Sequence, residues 1–258
     1  MTFAIFSSNA VSSLIAILVL ALVHLLVKEL KRLSTSSRHA LLALGAGASL
    51  AYVLLRILPK LAEKQEDLMA SVGTGVRGFL EHHAYLVAMT GLVVYYGISR
   101  LASHRAGETS SDSSSPNKAV LIGTVAGYGA YSMLIGYLIV NRLQFGLFSM
   151  TLITLGMGTL FLVSDYGLYK RWPSAYSSWI RWVLTLTLLS GWALGVLIKV
   201  SSNVVALWYA FLAGVMLIVT IGEKLSNEEP GSFWPFLAGV LIFTALLLAL
   251  EQMPQTPL

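Results

Sequence analysis

Long apolar runs separated by short polar segments dominate the chain. Eight of these runs hold about 20 mostly apolar residues each, which is enough to cross the hydrocarbon core of a bilayer as an α-helix. Because lipid offers the backbone no hydrogen-bond partners, such continuous runs are expected to be helical. The predicted helices cover residues 10–30, 40–59, 83–102, 119–141, 145–168, 176–199, 203–222 and 232–250. The pattern therefore predicts an all-α integral membrane protein with eight transmembrane helices in one domain, residues 1–258.

The composition leads to the same class. Hydrophobic residues make up 56% of the chain and charged residues only 11%, whereas soluble globular proteins carry about 25% charged residues. A water-soluble fold could not bury so much apolar surface, so the lipid bilayer is the expected partner. The absence of cysteine excludes disulfides, thiolate metal ligands and cysteine nucleophiles. The sequence has no basic arm and no Ser/His/Asp set, so neither nucleic-acid binding nor an enzyme is predicted.

The positions of lysine and arginine predict how the helices are oriented. With the N-terminus outside, 11 of the 17 lysine and arginine residues fall in inside segments and 6 in outside segments. Cytoplasmic loops carry the excess of positive residues, so this orientation is favoured, and eight helices place the C-terminus outside as well. The first apolar run has no cation before it and is followed by KELKR, which indicates a transmembrane helix rather than a cleaved signal peptide.

Two longer polar segments separate the predicted helices. Residues 103–118, SHRAGETSSDSSSPNK, are rich in serine and poor in hydrophobic residues. This composition predicts a flexible cytoplasmic loop between the first three helices and the last five. Residues 60–82 have apolar residues at helical spacing, which predicts an amphipathic piece at the outer surface that ends at GTG.

Small residues are frequent inside the predicted helices. Glycines let helix backbones approach closely in membranes, and this packing role is the simplest interpretation. The alternative is that Gly156 and Gly158 leave room for a substrate path. The glycines concerned are Gly45, Gly47, Gly123, Gly127, Gly156, Gly158, Gly191 and Gly195.

Several of the helices resemble those of one family of membrane proteins. The stretch LGAGASLAYVLLRILPKLAE resembles the second helix of ZIP-type metal transporters, in which small residues precede a His-Leu-Leu-Pro-Glu motif, and EHHAYLVAMTGLVVYYGISRLA resembles the third. GAYSMLIGYLI is similar to the fourth helix, and FLVSDYGLYKRW and WVLTLTLLSGWALG are similar to the fifth and sixth of a bacterial branch. FWPFLAGVLIFTALLLAL is similar to the last helix, so the resemblance covers nearly the whole chain.

The resemblance implies a ZIP-like 3+2+3 bundle with both termini outside, placed in the bacterial inner membrane. It implies transport of a divalent metal cation of the zinc type, with the metal as substrate and no bound cofactor. A homodimer is compatible with the sequence, which does not determine the oligomeric state.

The metal-ligand motifs of the family are substituted in this chain. ZIP-type transporters carry His-Asn-x-x-Asp-like and His-Glu-x-Pro-His-Glu-like motifs on helices four and five, whereas here neither helix has a histidine and Asp165 is their only carboxylate. In RILPK, Arg56 takes the place of the motif's histidine and Lys60 that of its glutamate, while Pro59 is retained. Neither cation can coordinate a metal in its charged form, so the sequence predicts a depleted ligand set.

Three interpretations of Arg56 and Lys60 are open. Both lie near the predicted outer interface, where long cationic side chains reach water, and Lys60 can pair with Glu63. Alternatively, the two charges exclude cations from an ancestral pathway, because each would repel a divalent ion. The third interpretation is a specific role in binding an anion or a partner.

Asp165 is the first candidate for a metal or transport site. One interpretation is an interfacial carboxylate paired with Lys170 or with a loop cation. The other is an inner-half metal or proton site formed with Ser132 and Ser164, because ion transport through hydrocarbon needs polar groups that face a cavity. Asn141, near the end of the fourth predicted helix, is a further candidate for the transport path.

Histidines supply the remaining candidates. Glu81, His82 and His83 form a short cluster at the outer mouth of the third predicted helix. Adjacent histidines point in different directions on a helix, so the cluster is either an interfacial polar cap or a loose metal-collecting site. His24 is the one histidine deep in a predicted helix, and a lone histidine is more often hydrogen-bonded in packing than a metal ligand.

Two functions follow from these observations. The first is divalent-metal transport of the zinc type with an unusual ligand set. The second is a ZIP-fold protein that has lost metal transport and acts as a scaffold or regulator, or carries a different solute. The family resemblance favours the first function, whereas the missing ligands and the two cations of RILPK favour the second.

Overall fold

The computed structural model describes residues 2–69, 83–108, 118–140, 147–198, 200–225 and 233–251. Within these ranges the chain is helical and contains no strand, so the predicted all-α class is confirmed. The helices are α1 (Thr2–Leu26), α2 (Thr35–Tyr52), α3 (Leu58–Met69), α4 (Ala84–Glu108), α5 (Lys118–Val140), α6 (Leu147–Arg171), α7 (Arg181–Leu197), α8 (Ser202–Leu225) and α9 (Phe233–Glu251).

Six helical segments of the described chain are long and apolar enough to cross a membrane. Helices α4 and α9 have shorter apolar stretches, Ala84–Ile98 and Phe233–Ala249. The length and composition of these helices support an integral membrane protein, as the sequence predicted. The six segments are Val11–Arg32, Thr35–Glu63, Leu121–Val140, Met150–Arg171, Pro173–Leu197 and Ser202–Ile221.

The helix that contains Pro59 does not end there, and the predicted end at this proline is wrong. A π-helical segment, Val53–Ile57, joins α2 to α3, and the Leu58 N–H donates to the Val53 carbonyl. Proline has no N–H, and its ring clashes with the carbonyl four residues earlier, so a helix has to widen or bend to include it. The wide turn before Pro59 accommodates the ring, and the helix continues to Met69.

The predicted loop at residues 103–118 is also shorter than expected. Helix α4 continues to Glu108, so residues 103–108 are helical. Arginine and alanine favour helix, and they extend α4 past its apolar part. Residues 109–117 lie outside the described residues, as do residues 70–82 of the predicted amphipathic piece. The part of that piece in α3 buries Leu61 and exposes Glu63 and Glu66, as an amphipathic helix should.

A second π-helical segment precedes α7. Helix α6 ends at Arg171, and Trp172 is extended, with φ −136° and ψ 70°. Pro173 then opens a short helix, Pro173–Ala175, in the first turn, where its missing N–H needs no partner. The π-helical segment Tyr176–Ile180 connects this turn to α7. This connection places Tyr176 beside α6, where its hydroxyl donates a hydrogen bond to the Asp165 carboxylate.

Three helix pairs are built on glycines that face each other's backbone. In each pair, both helices supply a glycine, and a Cβ atom added to either glycine would overlap backbone atoms of the partner helix. This is the close packing that small residues permit between membrane helices. The pairs are α2 with α9 (Gly47 and Gly239), α4 with α8 (Gly91 and Gly214) and α5 with α7 (Gly136 and Gly191).

The glycines predicted to mediate packing have different surroundings. Gly47 and Gly191 belong to the pairs above, and a Cβ on Gly195 would lie 3.0 Å from the Tyr137 carbonyl oxygen. A Cβ on Gly156 would lie 2.7 Å from ring atoms of Tyr52, so an aromatic ring occupies the space that a substrate path would need. Among the described residues, no atom lies within 4 Å of a Cβ added to Gly123, so the prediction of close packing is wrong for Gly123 within this part of the chain.

The helices pack in two groups. Helices α1, α5, α6 and α7 form the first, with α5 against α7 and α1 against both α6 and α7. In the second group, α2 packs on α9 and α4 packs on α8. Contacts of α2 with α6 and of α4 with α5 join the groups. The first group contains the buried polar residues described next.

Candidate functional site

A histidine, an aspartate and a tyrosine meet inside the first helix group, and we call them the His–Asp–Tyr cluster (His24, Asp165 and Tyr176). The Nδ1 atom of His24 lies 2.5 Å from Oδ2 of Asp165. The Tyr176 hydroxyl lies 2.8 Å from the same carboxylate oxygen and 2.8 Å from the backbone carbonyl oxygen of His24. The three residues are 0%, 1% and 0% exposed. The cluster is therefore a polar centre closed to solvent in apolar helices.

Three different elements supply these residues. His24 lies in the last turn of α1, just before the chain tightens into a 3₁₀ helix over Val27–Arg32. Asp165 lies in α6, and Tyr176 opens the π-helical segment that leads into α7. Single π-helical turns inside α-helices are uncommon and occur frequently at functional sites. Side-chain hydrogen bonds thus join α1, α6 and the start of α7 at one point.

The donors and acceptors of the cluster are determined by the chemistry of a carboxylate. With Asp165 ionised, Oδ2 accepts from the His24 ring and from the Tyr176 hydroxyl, because a carboxylate has no hydrogen to donate. His24 then carries its proton on Nδ1, and its Nε2 atom keeps a free lone pair. The single Tyr176 hydrogen is shared between the carboxylate and the His24 carbonyl.

Two atoms of the cluster, His24 Nε2 and Asp165 Oδ1, are buried without a hydrogen-bond partner among the described residues, and so is the hydroxyl oxygen of Tyr131. Tyr131 belongs to α5, and the Phe161 ring relates it to the cluster. The Phe161 ring centroid lies 4.4 Å from that of His24 and 5.8 Å from that of Tyr131. Buried polar atoms are nearly always satisfied in folded proteins, so such exceptions point to a bound ion, a ligand or water.

Charged side chains surround the cluster at a greater distance. Arg181 acts electrostatically on Tyr176, and its guanidinium carbon lies 5.2 Å from the Trp182 ring centroid. Just beyond His24, Lys28 and Arg32 both pair with Glu29, at nitrogen–oxygen distances of 3.5 Å and 2.9 Å. Glu29 therefore compensates only one of these two positive charges.

The structure contradicts one of the two interpretations of Asp165, that of an interfacial carboxylate paired with Lys170. The hydrogen-bond partner of Asp165 is His24 on α1, so the predicted interfacial pairing with Lys170 is wrong, and Lys170 is exposed. Ser164 is buried, but its hydroxyl donates within α6 to the carbonyls of Leu160 and Phe161, at 2.8 Å and 3.3 Å. Ser132 is buried in α5. Asn141 lies outside the described residues.

The RILPK residues lie apart from the cluster, where α2 continues into α3. Arg56 is half-buried in the π-helical segment, and Pro59 is exposed. Lys60 forms an ion pair with Glu63, which confirms the pair that the sequence predicted. This pairing accounts for Lys60 without any contact to the His–Asp–Tyr cluster.

The predicted acid and histidine cluster before α4 is described only in part. Glu81 and His82 lie outside the described residues. His83 is exposed, and its backbone carbonyl accepts hydrogen bonds from the N–H groups of Leu86 and Val87 at the start of α4. In the part of the chain that the structure describes, no three His, Cys, Asp or Glu residues lie close enough together to hold a metal ion.

Sequence reasoning identified Asp165 and expected His24 to be hydrogen-bonded in packing, but it did not pair the two and it missed Tyr176. One signal was available, because two ionisable residues in separate membrane helices are expected to seek each other. Tyr176 gave no such signal, since a tyrosine at the start of a membrane helix is usually an interfacial residue. Neither the models of known protein families nor the curated proteins with which the sequence was compared match it, so its function has to be inferred from the residues of this site.

Proposed function

We propose that this chain is a ZIP-like membrane transporter of a divalent metal cation of the zinc type, working with a depleted ligand set. The observation that carries the proposal is the pairing of His24 with Asp165, 0% and 1% exposed, in helices apolar enough to cross a membrane. Ionisable residues at such positions are costly and rare, and they mark ion or substrate pathways. The proposal includes eight transmembrane helices in a 3+2+3 bundle, both termini outside, in the bacterial inner membrane.

The setting of His24 suits a metal ligand. Its Nδ1 atom is held by the Asp165 carboxylate, and Nε2 has no partner within the described ranges. Histidine ligands of metal ions commonly donate their second N–H to a carboxylate, which orients the ring and makes it a better ligand. Asp165 acts through His24, because the carboxylate that binds Nδ1 lies at the opposite edge of the ring from Nε2 and does not reach an ion bound there. One protein ligand, with water completing the coordination shell, holds an ion loosely, as a pathway that must release it requires.

The helix pairing is compatible with the 3+2+3 arrangement. The contacts of α2 with α9 and of α4 with α8 bring early apolar helices of the chain against late ones. The proposal also includes assembly as a homodimer, which the mass of the detergent-solubilised protein tests directly.

Uptake of zinc and cadmium into proteoliposomes tests the transport function. We expect the wild-type protein to transport zinc, and Asp165→Asn and His24→Gln each to reduce uptake by about tenfold or more, because the first removes the carboxylate that orients His24 and the second removes the ligand itself. Glu63→Gln is the matched control, since it makes the same carboxylate-to-amide change at an exposed ion pair. Absence of uptake by the wild type, or equal losses in all three variants, would contradict the proposal.

A second candidate function is a ZIP-like protein that has lost metal transport and serves as a scaffold, a regulator or a carrier of a different solute. Two observations favour it. The described residues contain no group of three metal-ligating side chains, and Arg56 takes the place that the resemblance assigns to a histidine ligand.

The double substitution Arg56→His with Lys60→Glu separates the two candidates. If the wild type is silent and only this variant takes up zinc, the RILPK segment has closed a metal path and the second function holds. If the wild type transports zinc and the variant behaves like it, Arg56 and Lys60 are interfacial residues and the first function holds.

A further inference from the structure

The packing and hydrogen bonds of the fold leave the Tyr131 hydroxyl unexplained. Tyr131 is 4% exposed in α5, and its hydroxyl has no hydrogen-bond partner in the described segments. A buried hydroxyl without a partner lowers stability, because it has lost its hydrogen bonds to water. A phenylalanine would pack the same ring against Phe161 without this cost. A ligand that reaches the hydroxyl would account for it.

The hydroxyl belongs to the same region as the unpartnered atoms of the His–Asp–Tyr cluster. The Tyr131 ring meets Phe161 edge to face at 5.8 Å between centroids, and the Phe161 ring lies 4.4 Å from that of His24. Phe161 and Asp165 are four residues apart in α6, so their side chains lie on one face of that helix. The Asp165 carboxylate also acts electrostatically on the Tyr131 phenol. Tyr131 and His24 thus pack on the same Phe161 ring, between α5 and α1, and both carry an unpartnered polar atom.

We propose that the Tyr131 hydroxyl is a further binding group of this site, which hydrogen-bonds the water shell of a partly hydrated divalent cation held by Nε2 of His24. The proposal rests on the metal transport proposed above. A neutral phenol can donate and accept hydrogen bonds, and this suits it to metal-bound water better than to the ion itself. Bridging water holds two groups together almost as well as a direct hydrogen bond does.

Tyr137 is a matched control on the same helix. It is also 4% exposed, but its hydroxyl donates to the Ile198 carbonyl at 3.2 Å and accepts from the Val200 N–H at 3.3 Å. Its hydroxyl therefore has a structural use, fastening α5 to the connection between α7 and α8. Removing the hydroxyl should change stability in opposite directions at the two positions, and only the loss at Tyr131 should weaken zinc binding.

The experiment measures zinc binding by calorimetry on the purified full-length protein, zinc uptake by proteoliposomes, and the melting temperature without zinc. We expect Tyr131→Phe to weaken zinc binding by about tenfold, the usual loss when a partner of a metal site is removed, and to raise the melting temperature. Tyr137→Phe should lower the melting temperature and leave the zinc dissociation constant unchanged.

Two results would overturn the role of Tyr131. One is zinc binding in Tyr131→Phe equal to that of the wild type. The other is a fall in melting temperature like that of Tyr137→Phe, which would make the hydroxyl structural. A wild type that binds zinc without transporting it would contradict the transport function alone, and the comparison of the two tyrosines would still decide the role of Tyr131. A wild type that does not bind zinc would overturn both.

Discussion

His24 and Asp165, which are 141 positions apart in the sequence, are joined by a 2.5 Å contact between Nδ1 and Oδ2 that solvent does not reach. The contact fastens the last turn of α1 to α6. When one member of a buried polar pair is removed, the other is left without its main compensation, so the two residues should depend on each other energetically.

Leucine substitutions at both positions test this dependence. We expect His24→Leu and Asp165→Leu each to lower the free energy of unfolding by about 3 kcal/mol, because each leaves a buried polar partner alone. The double variant should recover most of this loss, since a well-packed apolar pair is often as stable as a buried ion pair. Reversible unfolding in detergent micelles measures all three values, and strictly additive losses would show that the residues are not coupled.

The exposed pair Lys60 and Glu63 is the control for this cycle. Glu63 is 56% exposed, so water screens the interaction. Its double-mutant cycle should give a coupling energy below about 1 kcal/mol, as is usual for surface ion pairs.

Tyr176→Phe should destabilise the protein by removing the hydrogen bonds of the hydroxyl while keeping the ring. The hydroxyl is shared between the Asp165 carboxylate and the His24 carbonyl, and a hydrogen bond to a charged group contributes about 1.5–3 kcal/mol. Tyr169→Phe is the control, because its ring packs on Tyr176 at 5.9 Å but its hydroxyl is not part of the cluster. Thermal unfolding of both variants measures the difference. Equal effects would show that the hydrogen bonds of the Tyr176 hydroxyl add no more stability than the hydroxyl of Tyr169 does.

Alanine substitutions should distinguish a glycine at a helix crossing from a glycine with open space beside it. Gly191→Ala places a methyl group into the backbone of Met133, so we expect a loss of about 1–3 kcal/mol from overpacking. Gly123→Ala meets no atom within 4 Å in the structure and should leave stability unchanged or raise it by up to about 1 kcal/mol, since alanine favours helix. Unfolding of the two single variants in the same detergent decides the matter. A comparable loss in Gly123→Ala would contradict the assignment.

Pro59→Ala should let the wide turn before α3 tighten. With an N–H restored at position 59, Val53–Ile57 can adopt ordinary α-helical hydrogen bonds. A π-helical turn holds about one residue more than an α-helical turn, so the change rotates α3 by roughly 100° about its axis. The chain has no cysteine, so cysteines introduced at the exposed positions 66 and 85 can carry spin labels specifically. We expect the distance between the labels to change in Pro59→Ala.

Leu54→Ala serves as the control for that measurement, because it lies in the same π-helical segment, is 45% exposed and leaves the proline in place. Its label distance should equal that of the wild type. An unchanged distance in Pro59→Ala would mean that packing of α3, and not the proline, maintains the wide turn.

The helices were predictable because lipid enforces them. A run such as residues 203–222 has no alternative to a helix, since every backbone group has to find its partner within the segment. Helix ends were less predictable. In the sequence, Pro59 indicates the end of a helix. A neighbouring wide turn can nevertheless accommodate the proline ring, and whether it forms depends on what packs around α3.

The site was predictable in parts. Asp165 stands out as a carboxylate in an apolar helix, and His24 as an imidazole in another, so each could be recognised alone. Their meeting depends on how α1 packs against α6, which no local pattern encodes. Tyr131 is indistinguishable in sequence from Tyr137, and only the partners of their hydroxyls in the folded chain tell the two apart.

The paired glycines have a mechanical consequence for how the bundle can change shape. A helix that slid along its partner by one residue would bring a side chain to a crossing that has room only for a hydrogen atom. Each pair can therefore pack in only one register, so its two helices move as one rigid unit. Among the described helices that are long and apolar enough to cross a membrane, only α1 and α6 belong to none of these glycine pairs. They are the two helices that His24 and Asp165 hold together. These two helices are thus fastened by a hydrogen bond and not by a glycine crossing, so a movement between them would leave all three glycine pairs in register.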